Sequence, residues 1–153
     1  MAHTIRKERV SMSVPAWKRA ESKAEYLIDI LNLNVRVGEI IGNGPKKYRQ
    51  GYGDFLIKTA LDALKYAQTA NSIFVSKKMN KSDFDTRRRC LILSRGCIDS
   101  ISTAFMVYLA QARKADGYEA DKADRQLQDI GTRCYKIRSS IKKVMDSDKN
   151  RIR

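Results

Sequence analysis

The side chains in this chain best equipped for chemistry are cations, and they come in three groups. Lys46, Lys47 and Arg49 surround Tyr48 and precede Tyr52, so positive charge is interleaved with aromatic rings. That composition suits phosphate contact combined with base stacking. Arg87, Arg88 and Arg89 are consecutive. On a helix they fan through most of a turn, so at least one must turn toward the protein interior or a neighbouring subunit, where a guanidinium needs a carboxylate partner. Arg133, Lys136, Arg138, Lys142 and Lys143 form the third group, followed by Lys149, Arg151 and Arg153 in a stretch with few acids. The candidate contacts for phosphate or a protein partner are therefore Lys46, Lys47, Arg49, Arg87, Arg88, Arg133, Lys136, Arg138, Lys142 and Lys143.

These groups sit in a chain of 153 residues with a formal net charge of +14. The excess is net +5 over residues 1–50, +3 over 51–132 and +6 over 133–153. Such a field favours a polyanion or an acidic protein as partner. Acid–base and metal chemistry are poorly supplied, since the single histidine is His3 and no Glu-x-x-His pair exists. The glycines at 42, 44, 51 and 53 do not form a phosphate-cradling Gly-x-x-x-x-Gly-Lys-Ser/Thr run after a strand. No Ser-x-x-Lys arrangement with supporting elements can be assembled for a serine nucleophile. We expect a binding protein, not an enzyme, with no cofactor and no metal.

Cys90 and Cys97 are seven residues apart on an expected helix, which separates them by roughly 10 Å and prevents a bridge. Cys134 falls on an apolar stripe, where a cysteine behaves as a small hydrophobe. The N-terminus lacks the apolar stretch of a secretion signal. The longest apolar run, residues 98–109, is broken by Asp99, Ser100, Ser102 and Thr103, so no membrane span is expected. A cytoplasmic location is the default expectation.

The elements that must position the cations read as helices. Pro15 and Pro45 fall where helices should begin. A first helix is expected over residues 20–41, with Ala24, Leu27, Ile28, Leu31 and Val35 on one face and Ile30, Leu33, Val37 and Ile40 on a second strip. Gly42-Asn43-Gly44-Pro45 stops it. A second helix should start at Lys47 or Tyr52 and run to Val75, with a seam of Tyr52, Leu56, Thr59, Ala63, Tyr66, Ala70 and Ile73. After a polar turn at 76–81, Ser82 is the expected N-cap of a third helix. Its stripe is Phe84, Leu91, Ile98, Ile101, Phe105, Tyr108 and Ala112, with Ile92, Leu93, Met106 and Val107 widening the buried face, and Asp116-Gly117-Tyr118 ends it. A fourth helix should begin near Glu119 and carry Leu127, Ile130, Cys134, Ile137, Ile141 and Val144. Short connections between long helices predict an all-α, antiparallel up-down-up-down four-helix bundle over residues 15–153, ending in a short basic tail and preceded by a flexible basic arm at 1–14.

The order of several short motifs resembles a known group. Met12-Ser13-Val14-Pro15, then Lys18-Arg19, then Glu21-Ser22-Lys23, resembles the opening of small bacterial four-helix-bundle proteins related to the intervening-sequence protein of 23S ribosomal RNA genes. Within that superfamily the chain looks most like the accessory variability determinant proteins of diversity-generating retroelements. Pro45-Lys46-Lys47-Tyr48, Ala70-Asn71-Ser72-Ile73-Phe74, and Ser147-Asp148-Lys149 with Arg151 match the same pattern, so the likeness covers residues 12–151. The resemblance implies a homo-oligomeric barrel of five subunits. It implies association with a reverse transcriptase and with template RNA, extending to RNA–DNA hybrid or DNA, during mutagenic copying, and no membrane. A structural RNA-binding protein encoded within a ribosomal RNA intervening sequence, without an enzyme partner, is the alternative. A plain scaffold for an acidic protein is a third reading.

Overall fold

The computed structural model describes residues 24–115 and 117–152. The expected arm at 1–14, His3, Pro15 and the motif matches through Lys23 lie outside the described residues. Among the described residues the chain is all-α, with four long helices and no strand. They are α1 (Glu25–Gly42), α2 (Asp54–Ser72), α3 (Lys81–Ala112) and α4 (Ala120–Arg151). Each packs on its neighbour in the chain, and α1 also packs on α4, so all four close around one core.

Helix α1 forms because Tyr26, Leu27, Ile30, Leu33, Val37, Ile40 and Ile41 recur at helical spacing and are all buried. The other strip expected to be buried is only partly so, and Val35 is 62% exposed. The chain then turns through one 3-10 turn at Lys46–Tyr48. Two glycines make this connection possible. Gly51 has φ of 81°, a conformation in which a Cβ is strained. A Cβ on Gly44 would lie 1.9 Å from the Tyr108 hydroxyl oxygen. The glycine cluster thus shapes the connection from α1 to α2.

The α2 seam differs from the one expected. Leu56, Ala60, Ala63, Ala67 and Ala70 are its buried column, while Tyr52, Thr59 and Tyr66 lie off it. Both columns have steps of four and three; the small one is chosen because it lets neighbouring helices reach the α2 backbone. Asn34 Nδ2 on α1 donates to the Ala60 carbonyl at 2.9 Å, and Ser94 Oγ on α3 donates to the Ala63 carbonyl at 2.8 Å. Such approaches need alanine at the contact.

Helix α3 is capped by Asn80, whose side-chain oxygen accepts from the Asp83 N–H at 2.8 Å. This corrects the expectation of Ser82, which lies inside the helix. The helix ends at Ala112, before the expected stop, and Gly117 takes φ 79° in the connection to α4. Leu91, Ile98, Ile101, Phe105, Tyr108 and Ala112 are buried as a stripe. Covering one such side chain fully is worth roughly 1.5–3 kcal/mol. Ile92, Leu93, Met106 and Val107 were expected to widen the buried face, yet they are 42–57% exposed within a single chain. By length and composition α3 would pass for a membrane span, a test that a core helix also passes. One side of it faces the shared core, and only 28% of its most apolar stretch is buried.

Helix α4 starts beside Asp121 and ends with Lys149 and Arg151, the charge order that the helix dipole prefers. Ile130, Cys134, Ile137, Ile141 and Met145 face the core. Pairs between helices fix the register. On α3 and α4 they are Arg113–Asp124 at 2.8 Å, Asp99–Arg138 at 2.9 Å and Arg87–Asp148 at 2.7 Å. On α1 and α4 they are Arg36–Asp129 at 2.7 Å and Asp29–Lys136 at 3.5 Å.

Candidate functional site

The arginine triplet divides as helical geometry requires. Arg87 is turned inward and only 9% exposed, whereas Arg88 is half-buried and Arg89 is exposed. Arg87 Nε and Nη2 donate to the two carboxylate oxygens of Asp148 at 2.7 and 3.2 Å. Its Nη1 donates to the carbonyls of Ala70 and Ile73 at 2.9 and 3.1 Å. Those carbonyls lie at the C-terminal end of α2, where helix acceptors run short of backbone partners; Ala70 O also accepts from the Ile73 N–H at 3.2 Å. One guanidinium therefore ties α2, α3 and α4 together. This corrects its candidacy for phosphate contact, because its donors are engaged inside the protein. The same pair surrounds Tyr26, whose phenol is pushed up to about 12, first by burial, with Asp148 adding to the rise and Arg87 opposing it.

The cations of α4 do not form one continuous edge. Arg133 and Lys136 turn toward α1. Arg133 Nε donates to Asp129 at 2.9 Å, and Lys136 lies 3.5 Å from both Glu25 and Asp29. Burial tends to raise the Asp129 carboxyl, but hydrogen bonds from Arg36 and Arg133 outweigh it and hold it below the usual carboxylate value. Arg138 turns the other way and donates to Asp99 on α3 at 2.9 Å. The expectation that few acids offset this cluster is thus corrected: the compensating carboxylates come from α1, α3 and α4 itself. Lys142 and Lys143 are exposed and form no ion pair among the described residues.

The first group lies at the connection between α1 and α2. Lys46 and Lys47 are exposed without ion pairs among the described residues, and Lys47 Nζ stands 4.9 Å from the centre of the Tyr48 ring. Tyr48 and Tyr52 meet edge to face with centroids 5.9 Å apart, and Tyr52 remains 37% exposed. Arg49 donates to the Gly42 carbonyl, closing the end of α1. This edge keeps cations and rings together as the spacing suggested. It is the opposite end from Arg87, since Gly44 meets Tyr108, about six turns further along α3.

The cysteines stay apart. Cys90 and Cys134 are buried, Cys97 is half-buried, and all three are free thiols. Burial pushes the Cys134 thiol up to about 11, and it also raises Cys97.

Sequence spacing missed several participants. Asp129 bridges Arg36 and Arg133, and the sign of its role needs the α1–α4 register. Asp148 could have been found, because it falls seven residues after Ile141 on the apolar stripe of α4. Arg95 and Tyr135 fall in none of the three cationic groups; Tyr135 is 68% exposed. The arrangement as a whole can hold polyanions by charge and ring stacking. Among the described residues no group of three His, Cys, Asp or Glu side chains is placed to hold a metal ion. Comparison with known proteins gives no match, either to a protein-family model or to a curated protein.

Proposed function

We propose that this chain is a non-enzymatic accessory protein of a diversity-generating retroelement. It is a cationic, homopentameric assembly of antiparallel up-down-up-down four-helix bundles that binds template RNA, RNA–DNA hybrid or DNA and associates with the reverse transcriptase. The observation that carries the binding half is the separation of cations into two kinds. Arg36, Arg87, Arg133, Lys136 and Arg138 are neutralised by carboxylates, while Lys46, Lys47, Arg88, Lys142 and Lys143 have no ion pair among the described residues. Cations left without carboxylates suit phosphate contact, which releases counterions and dominates nucleic-acid affinity.

Topology and assembly have their own support. Between α2 and α3, between α3 and α4 and between α1 and α4, the residue numbers of bonded partners rise on one helix as they fall on the other, the pattern of antiparallel neighbours. Val35 on α1 and Leu61 on α2 are 62% and 53% exposed, and Met106 on α3 is 57% exposed. Two separate apolar faces favour head-to-tail contacts between copies, which close into a ring. The number five and the reverse transcriptase come from the motif resemblance.

The test is co-expression of the affinity-tagged chain with its neighbouring genes. Retention of both a reverse transcriptase and RNA on the tagged protein is the expected result. Retention of neither would remove the reading, and retention of RNA alone would favour a structural protein without an enzyme partner.

A further inference from the structure

The α3–α4 register carries a consequence for its upper half. Asp99 pairs with Arg138. One turn up α3 and one turn down α4, the same register sets Arg95 across from Lys142. Two turns further on it sets Arg88 across from Lys149, beside the Arg87–Asp148 pair. Arg88 and Arg95 are half-buried, Lys142 and Lys149 are exposed, and none of the four forms an ion pair among the described residues. Asp146 is exposed one turn from Lys142 and joins neither lysine in an ion pair. Like charges facing each other across a helix seam are unfavourable, and the carboxylates nearby do not offset them: Asp148 is engaged by Arg87, and neither Asp85 nor Asp146 forms an ion pair among the described residues. An anion lying along the seam resolves the repulsion at both rungs together.

The same outer strip of α4 carries Tyr135, which lies one turn before Arg138 and two turns before Lys142. Tyr135 is 68% exposed and stands about 10 Å from the first rung. Successive phosphates tracked by cations, with an aromatic face open beside them, are what an unpaired nucleic-acid strand requires. Bases in a duplex are already stacked and offer no free face to a surface ring.

We infer that the α3–α4 seam from Tyr135 to Lys149 is a track for single-stranded nucleic acid, with Arg95 and Lys142, then Arg88 and Lys149, gripping successive phosphates and Tyr135 stacking on a base. This rests on the nucleic-acid reading above and names the form of the ligand and the residues that hold it.

The test uses the full chain and a fluorescein-labelled single-stranded RNA of mixed sequence, with the same sequence as a duplex, titrated by anisotropy over a range of salt. The variant Arg88→Gln/Arg95→Gln/Lys142→Gln/Lys149→Gln should lower the slope of log affinity against log salt by about 1.4, at ~0.7 for each of the two phosphates gripped on a single strand. It should melt at or above the wild-type temperature, because repulsion has been removed. Tyr135→Ala should weaken single-strand binding about tenfold and leave duplex binding unchanged, while Tyr135→Phe should bind normally. A control that removes equal charge elsewhere, Lys65→Gln/Lys114→Gln/Lys122→Gln/Arg125→Gln, should retain the slope of the wild type. Equal losses in the seam variant and the control would overturn the track while leaving general binding intact. Equal weakening of single strand and duplex by Tyr135→Ala would overturn the single-strand assignment. A wild-type protein that binds neither RNA at low salt would remove the proposed function itself.

Discussion

Asp148→Ala should be among the most damaging single substitutions in this protein. Arg87 and Asp148 are 9% and 5% exposed, so removing the carboxylate leaves a guanidinium that water cannot reach. Two charge-assisted bonds, at 2.7 and 3.2 Å, are lost, while the two bonds to the Ala70 and Ile73 carbonyls remain. Breaking one partner from a buried pair costs about 3–5 kcal/mol. Arg87→Met should cost at least as much, because it leaves Asp148 buried and also takes the donor from the Ile73 carbonyl, worth ~1–3 kcal/mol when left unsatisfied, and one of two donors from the Ala70 carbonyl, which keeps the Ile73 N–H. Arg87→Met/Asp148→Leu buries no charge and loses only the carbonyl bonds. It should fall about 0–3 kcal/mol below wild type, well short of the sum of the single variants. Urea unfolding followed by far-UV circular dichroism, at one fixed protomer concentration, measures all four proteins. With a denaturant slope near ~2 kcal/mol/M, Asp148→Ala should lower the midpoint by about 2 M. A cost for Asp148→Ala below about 1 kcal/mol, or a double variant equal to the sum of the singles within ~0.5 kcal/mol, would refute this account of the pair.

Other perturbations address separate parts of the structure. Asp129 titrates below its ordinary 3.8 in the folded chain, so its contribution is complete above that value and is lost as pH falls through the depressed folded value. Asp129→Asn should flatten the loss of stability below about pH 4, measured by urea midpoints across the acid range; an unchanged acid profile would contradict the Arg36–Asp129–Arg133 link. Gly44→Ala drives a methyl into the Tyr108 hydroxyl and should cost about 1–3 kcal/mol. Tyr108→Phe should restore part of that loss, and failure to do so would place the clash elsewhere. In thiol labelling at mildly alkaline pH, the half-buried Cys97 should react first, while Cys134, buried and pushed up to about 11, should react only as the protein unfolds. Equal rates at the two cysteines would contradict their placement.

Much of the fold follows from periodicity. The stripes of α3 and α4 were readable because Leu91, Ile98, Ile101 and Phe105, and Ile130, Ile137 and Ile141, are large and regularly spaced. The seam of α2 departs from the expected one because large aromatics at Tyr52 and Tyr66 share the spacing of the alanines that permit close packing. Periodicity weighs size, whereas contact with a neighbouring backbone rewards smallness. The inward turn of one arginine from the triplet was legible from helical fan-out alone. Its partner required Arg87 and Asp148 to be read as two opposite charges on two apolar stripes. The cationic surface was legible as composition but not as a site. Which of Arg133, Lys136, Arg138 and Lys142 meets a carboxylate depends on two helix registers, and those are set by packing.

The most direct test of the central proposal is the native mass of the complex purified through this chain, recorded before and after nuclease. The account predicts a multiple of five 17.5 kDa protomers with one reverse transcriptase and bound RNA, and loss of the RNA mass alone on nuclease treatment. A lone 17.5 kDa protomer, unchanged by nuclease and carrying no other protein, would contradict it.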